Sequence, residues 1–149
     1  MNTENPKIGF VLKKIVTEQF AIIKDAFHEG EQIQLNTQSQ FALDATQKII
    51  VVKTVFKFDQ ALAPFLIIEA SCHFRITDDT WSQFILPEQN VLKVPAAFLA
   101  HLTMLTVGTV RGILHAKTEN TPFNNFLIPT INVAALIKED ISFDLQNKQ

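Results

Sequence analysis

The sequence predicts an α+β fold in which antiparallel strands come first along the chain and helices follow. Three segments of the first half alternate apolar and polar residues with the period of a β-strand, and short links join them. In the second half, apolar residues recur at helical spacing after Pro95. Strands joined by short links pair antiparallel, and strands followed by helices are typical of α+β domains.

The first apolar segment, 8–27, fits two structures. Ile8, Val11, Leu12 and Ile15 roughly follow helical spacing, whereas the run 20–23 also fits a strand. Periodicity leaves both interpretations open.

The three clear strands are predicted at 33–44, 48–58 and 65–76. The first has one wet face and a break near Ala42, and the third places alternate apolar residues on one side. The links between them, around Gln47 and at 59–64, are short, which predicts an antiparallel meander.

The segment 77–94 is predicted to be a loop, because Asp78, Asp79 and Pro87 interrupt it. It also carries Trp81 and Phe84, and large apolar side chains in a loop have to pack on something.

Two helices are predicted near the C-terminus. Pro95 begins the long one, where its missing N–H is harmless. Thr103 and Gly108 are poor helix formers, and such small residues would let another helix or sheet approach closely. Asn132 is predicted to cap a short helix at 133–138.

Composition narrows the class of protein. The chain has 149 residues, enough for one domain, 1–149, with its own core, and only 19% are charged, which leaves apolar surface for self-association or binding. The net charge of −2, without a basic patch, argues against nucleic acid as a partner. A single cysteine, Cys72, allows no internal disulfide. The polar start 1–6 and the short apolar runs predict a cytoplasmic protein without membrane insertion.

No catalytic or metal-binding pattern is present. The four His have no metal-ligand spacing, and no nucleophile elbow or glycine-rich phosphate loop occurs. The acidic pair Asp78-Asp79 is typical of a turn. We therefore expect a protein that is not an enzyme and that carries no metal or cofactor.

Three stretches resemble the bacterial SecB family of export chaperones. The strand 65–76 resembles the family strand that begins Phe-Leu and ends in a Phe-x-Ile element. The helix from Pro95 to Arg111-Gly112 resembles the family's main helix, and 128–137 resembles its Leu-x-Pro-Val-Asn-Phe-x-x-Leu-Phe signature, with one extra residue between Pro129 and Asn132. More weakly, 15–20 resembles the family's first strand. The resemblance covers about 100 residues, by order and spacing together.

The resemblance implies a four-stranded antiparallel sheet packed with one long and one short C-terminal helix, and it makes the first segment a strand. It also implies a homotetramer, a dimer of dimers, in which two sheets join edge to edge and the long helices are sandwiched between dimers.

The resemblance further implies an ATP-independent chaperone that binds unfolded polypeptide in an apolar groove, for protein export or translocation. The candidate groove residues that it supplies are Phe98, Leu114, Phe123, Phe126, Leu127, Leu136 and Ile137. We add Trp81 and Phe84 from the predicted apolar loop.

Partners differ within the family. Members that deliver clients to the SecA motor often carry a metal-binding tail, whereas this chain ends in 144–149 without one, and only Glu69 represents their acidic SecA-facing surface. Other members protect an antitoxin.

Two alternatives to a chaperone function remain: a structural or adaptor subunit with one folded partner, and a small-ligand carrier.

Overall fold

The computed structural model describes residues 9–145. Its main sheet has four long strands: β1 (Phe10–Ile22), β2 (Gln34–Asp44), β3 (Ile49–Gln60) and β4 (Ala63–Ile76). All pairs are antiparallel and the order is β1-β4-β3-β2. The strands β2, β3 and β4 form the predicted meander, and β1 lies at the outer edge beside β4. The predictions made from residues 1–6 and from 146–149 fall on positions outside the described residues.

The remaining elements lie after β4. The helices are α1 (Asp78–Phe84), α2 (Ala96–Thr118) and α3 (Val133–Leu136). A small sheet has the order β5-β6-β7, formed by β5 (Ile85–Leu86), β6 (Val91–Val94) and β7 (Ile141–Asp144). Short 3-10 helices occur at Lys24–Ala26 and Pro122–Asn125. The α+β fold, with a four-stranded antiparallel sheet and one long and one short helix, is confirmed.

The prediction of a loop at 77–94 is wrong. Asp78 and Asp79 begin α1, where carboxylates interact favourably with the positive end of the helix dipole. Trp81 and Phe84 are three residues apart, so they share one buried helix face. The strands β5 and β6 follow, and β6 pairs with β7 from the far end of the chain.

Other predicted details also differ. The link predicted at 59–64 is a two-residue turn, because β3 extends to Gln60 and β4 begins at Ala63. The strand β2 is continuous through Ala42, which pairs with Val51 of β3. The short helix α3 ends at Leu136, not at Lys138, and Asn132 caps it as predicted, accepting a hydrogen bond from the Ala135 N–H at 3.3 Å.

The core lies between the inner face of the main sheet and α2, which packs against β3 and β4. It has two clusters along the sheet. One gathers Phe side chains near Phe65 and Phe123, and the other gathers Trp81, Phe84 and Phe98 with Ile50 and its neighbours. Alternate apolar residues of β4 are buried in these two clusters, on the face that the sequence predicts to be apolar.

The buried threonines of α2 hydrogen-bond to the backbone of their own helix. Thr103, Thr106 and Thr118 are buried, and each donates to the carbonyl four residues earlier, at 2.7 to 2.9 Å. A buried hydroxyl without a partner would be costly, so these bonds allow poor helix formers inside the helix.

By length and composition alone, α2 is long and apolar enough to cross a membrane. The sequence did not indicate this, because its uninterrupted apolar runs are short. Half of its most apolar stretch is buried against the rest of the structure, and the core helix of a soluble protein passes the same test.

Candidate functional site

An open apolar groove of about 260 Å³ lies between β2 and the segment around α3. Phe56 of β3 and Thr103 and Val107 of α2 belong to its lining. The residues that complete it are Thr37, Gln38, Ser39, Phe41, Ile131, Val133, Leu136 and Ile137.

The first wall is an edge strand with polar, small side chains. β2 pairs only with β3 among the described strands, so the backbone N–H and C=O groups of its other edge have no strand partner in 9–145. On its inner face, Ser39 hydrogen-bonds Thr54 at 2.9 Å and Phe41 is half-buried. The wall thus offers backbone groups that can pair with another strand, beside the apolar floor of the groove formed by Phe56 and Val107.

The second wall is held by two residues of the motifs that the sequence analysis identified. The guanidinium of Arg111 on α2 donates from Nε to the Ile128 carbonyl at 2.7 Å, and from Nη2 to the Pro129 carbonyl at 2.8 Å. Three residues later, Asn132 caps α3. These bonds fix the chain just before the helix that lines the groove.

Two of the nine predicted groove residues line this groove. Leu136 is 64% exposed and Ile137 is half-buried. Leu127 is 57% exposed and lies on the preceding segment, outside the groove lining.

The other six predicted groove residues pack in the core. Phe123 is buried, and the half-buried Phe126 packs around Phe65 with it, with ring centroids 5.2 to 6.2 Å apart. The buried members are Trp81, Phe84, Phe98, Leu114 and Phe123. Their role in a groove stays a prediction, because within a single protomer their side chains are largely covered.

The groove residues that were not predicted from the sequence lie on β2, on β3 at Phe56, on the inner side of α2, and at Ile131 and Val133 around the start of α3. One signal was available: β2 has Thr37 and Ser39 on the face where β3 and β4 carry bulky apolar residues. Small polar residues at inward positions indicate that the core does not cover this strand.

Glu69 lies on the opposite face of the sheet. It is half-buried in the centre of β4, opposite Gln19 of β1 and Val55 of β3. Its role towards SecA stays a prediction.

The titratable side chains offer no metal site within 9–145, where no group of three or more His, Cys, Asp or Glu could hold an ion. Cys72 is buried on the inner face of β4.

Comparisons with known proteins find similarity to solved structures but not to known sequences. No family model matches the sequence, and no curated protein matches it. The structure is similar to that of a SecB-like chaperone from Mycobacterium tuberculosis, solved in complex with a ChAD peptide from an antitoxin. The two share 12% sequence identity with a TM-score of 0.49, over 82% of this chain and 90% of that chain.

Proposed function

We propose that the protein is an ATP-independent chaperone that binds non-native polypeptide in the groove between β2 and α3. The observation that carries the proposal is an apolar floor beside a free strand edge, with Leu136 held exposed on the other wall. The resemblance of the sequence to the SecB family supports the same function.

The groove suits an extended chain better than a small molecule. An extended segment can pair with the free edge of β2 while its alternate side chains enter the groove. At about 260 Å³ the groove is smaller than common small-ligand pockets, which span roughly 300–1,000 Å³.

The affinity of such a site comes from apolar burial. Covering about 100 Å² of apolar client surface contributes roughly 2.5 kcal/mol. Apolar contacts and backbone pairing discriminate weakly between sequences, which is what a chaperone with many clients requires.

The proposal predicts that the purified protein suppresses aggregation of an unfolded client without ATP. Leu136→Ser should reduce this suppression, since it removes an exposed groove side chain, whereas its stability should change by less than about 1 kcal/mol. Light scattering of a refolding client, together with urea denaturation of the variant, measures both effects.

Leu62 supplies the matched control. It is 93% exposed in the turn between β3 and β4, so Leu62→Ser makes the same chemical change outside the groove. We expect it to leave suppression unchanged. Equal suppression by Leu136→Ser and wild type would contradict client binding in the groove. A co-purified lipid would favour the ligand-carrier alternative. A single stoichiometric folded partner, without affinity for unfolded chains, would favour the adaptor alternative.

The assembly that we propose is a tetramer in the cytoplasm. β1 is a long edge strand on which Val11, Leu12 and Ile15 are exposed, and it can pair with a second copy. Met104 and Leu105 are exposed on α2, whose residues 96–110 carry no Asp, Glu, Lys or Arg. Both surfaces are apolar and are suited to contacts between copies.

A further inference from the structure

The outer face of the main sheet has a second concavity, of about 750 Å³, near the start of β1. Four cationic side chains line it: Lys13, Lys14, Lys48 and Arg75. They come from three separate parts of the chain, so the sequence shows no basic patch, yet the fold gathers one.

A β-bulge contributes two of these cations. The register between β1 and β4 shifts between Leu12 and Lys14, which leaves Lys13 without a partner residue on β4. A bulge breaks the strict alternation of a strand and redirects its side chains. Lys13 and Lys14 therefore both line the concavity, although they are adjacent in sequence.

The two carboxylates of the concavity already have partners. Asp44 accepts a hydrogen bond from the Gln47 N–H at 3.1 Å, and Asp78 pairs with Lys48 Nζ at 2.9 Å. The hydrogen bond from Lys48, and then its charge, hold the pKa of Asp78 below its usual range. Asp78 is thus ionised and paired at neutral pH.

Three cations form no salt bridge within the described residues, although the charge of Arg75 also acts on Asp78. Within residues 9–145, Lys13, Lys14 and Arg75 take part in none of the ion pairs. All three are exposed. The four cations and two carboxylates of the lining sum to a formal charge of about +2, although the whole chain has a net charge of −2.

We propose that this concavity, the basic outer-face site, is a docking site for an acidic segment of a polypeptide partner. Charge complementarity selects carboxylate-rich chains. The half-buried Ile49 and Val51 also line the site and would contact apolar residues interspersed among the acids.

A polypeptide fits this site better than a nucleic acid does. Single-stranded nucleic acids are held by aromatic side chains that stack on bases, and His73 is the only aromatic ring in the lining. Asp44 and Asp78 would also lie against a dense row of phosphates, whereas the carboxylates of a peptide can be spaced to avoid them.

The site is independent of the apolar groove. Lys14 and Arg75 project from the outer face, whereas Phe41 and Phe56 of the groove lie on the inner face of the same sheet. Loss of acidic-peptide binding would therefore leave client binding intact, and failure of the chaperone proposal would leave this one standing.

The experiment measures binding of a fluorescein-labelled peptide, rich in Glu with interspersed Val, to the full chain by anisotropy. We expect salt-sensitive binding by wild type and a loss of about tenfold in affinity for Lys13→Glu/Lys14→Glu, since two attractions become repulsions. Urea denaturation with a midpoint close to that of wild type is the test that this variant is folded, and it does not depend on the chaperone proposal.

Lys24→Glu/Lys138→Glu is the matched control, because it makes the same change of net charge at exposed positions outside the site. We expect it to bind within about twofold of wild type. If Lys13→Glu/Lys14→Glu proves misfolded, Arg75→Gln takes its place as the test variant, and it should weaken peptide binding severalfold. The proposal is overturned by absence of binding to wild type, by an equal loss in the control, or by tighter binding to single-stranded DNA or phosphatidylserine vesicles than to the peptide.

Discussion

Arg111 shows how one residue links the core to the groove. Its side chain is half-buried on α2 and reaches the carbonyls of Ile128 and Pro129 with two separate nitrogens. The planar guanidinium can donate in two directions at once, which a lysine ammonium on a flexible stem does less well. The segment before α3 is thereby held by two hydrogen bonds in addition to the burial of the Ile128 side chain.

Replacement of Arg111 tests this role. Arg111→Ala should lower the free energy of unfolding by about 2 kcal/mol, because hydrogen bonds to charged groups contribute roughly 1.5–3 kcal/mol. Arg111→Lys should recover part of the loss. Urea denaturation measures the stability, and client aggregation measures the groove.

Arg75→Ala is the control for this change. It removes an exposed guanidinium that takes part in none of the ion pairs within the described residues. Its stability should remain within about 0.5 kcal/mol of wild type. An Arg111→Ala protein as stable as this control would show that the segment is held by apolar packing alone.

At the scale of elements, the hairpin between β3 and β4 is strained where the sequence supplies no glycine. Ala61 and Leu62 form its two-residue turn with φ of 49° and 67°. Both values lie in the left-handed region of backbone conformation, which Asn and Gly adopt readily and Ala and Leu do not. The core strands on either side hold the turn in place at some cost in stability.

Ala61→Asn combined with Leu62→Gly should therefore stabilise the domain. Each left-handed residue costs roughly 1–2 kcal/mol, and the added freedom of Gly in the unfolded chain offsets part of the gain, so we expect a net increase of about 1 kcal/mol. Urea denaturation at one protein concentration measures it.

Leu62→Ala separates the strain from the side chain. It removes the exposed leucine but keeps a β-carbon at the left-handed position, so its stability should change by only a few tenths of a kcal/mol. A comparable gain from Leu62→Ala would attribute the effect to the exposed apolar group.

At the scale of the whole molecule, the main sheet separates the two proposed binding surfaces. Its inner face and α2 enclose the core and leave the groove at the β2 edge, and its outer face carries the basic site. The strand β1 and the outer side of α2 remain apolar and exposed in one protomer. A chain with so few charged residues would gain by burying these surfaces between copies.

Met104→Glu tests the proposed assembly. Met104 is 54% exposed in the uncharged part of α2, so a carboxylate there would be desolvated in a helix-to-helix interface at high cost. We expect wild type at four times the chain mass of 16.8 kDa by light scattering coupled to gel filtration, and the variant at a smaller mass.

Leu62→Glu makes a similar change at an exposed position that belongs to neither β1 nor α2, and it should leave the mass unchanged. A wild-type monomer, or a Met104→Glu protein that keeps the wild-type mass, would rule out α2 as the contact between copies.

The sequence by itself determined the faces of β2, β3 and β4 and placed their ends within about two residues, whereas periodicity left the segment of β1 open between helix and strand. The alternation in 65–76 gave the buried face of β4, and Pro95 and Asn132 marked the starts of α2 and α3. These features depend on neighbours a few residues away, which is why periodicity and capping chemistry reveal them.

Only the tertiary structure decided which distant segments meet. It placed β1 beside β4 and joined β6 to β7. It put most of the predicted groove residues into the core and built the groove from β2, α2 and the chain around α3. It also brought Lys13, Lys48 and Arg75 into one concavity. The physical reason is that local patterns specify the apolar side of an element, whereas its partner is chosen by burial against segments far away in the chain.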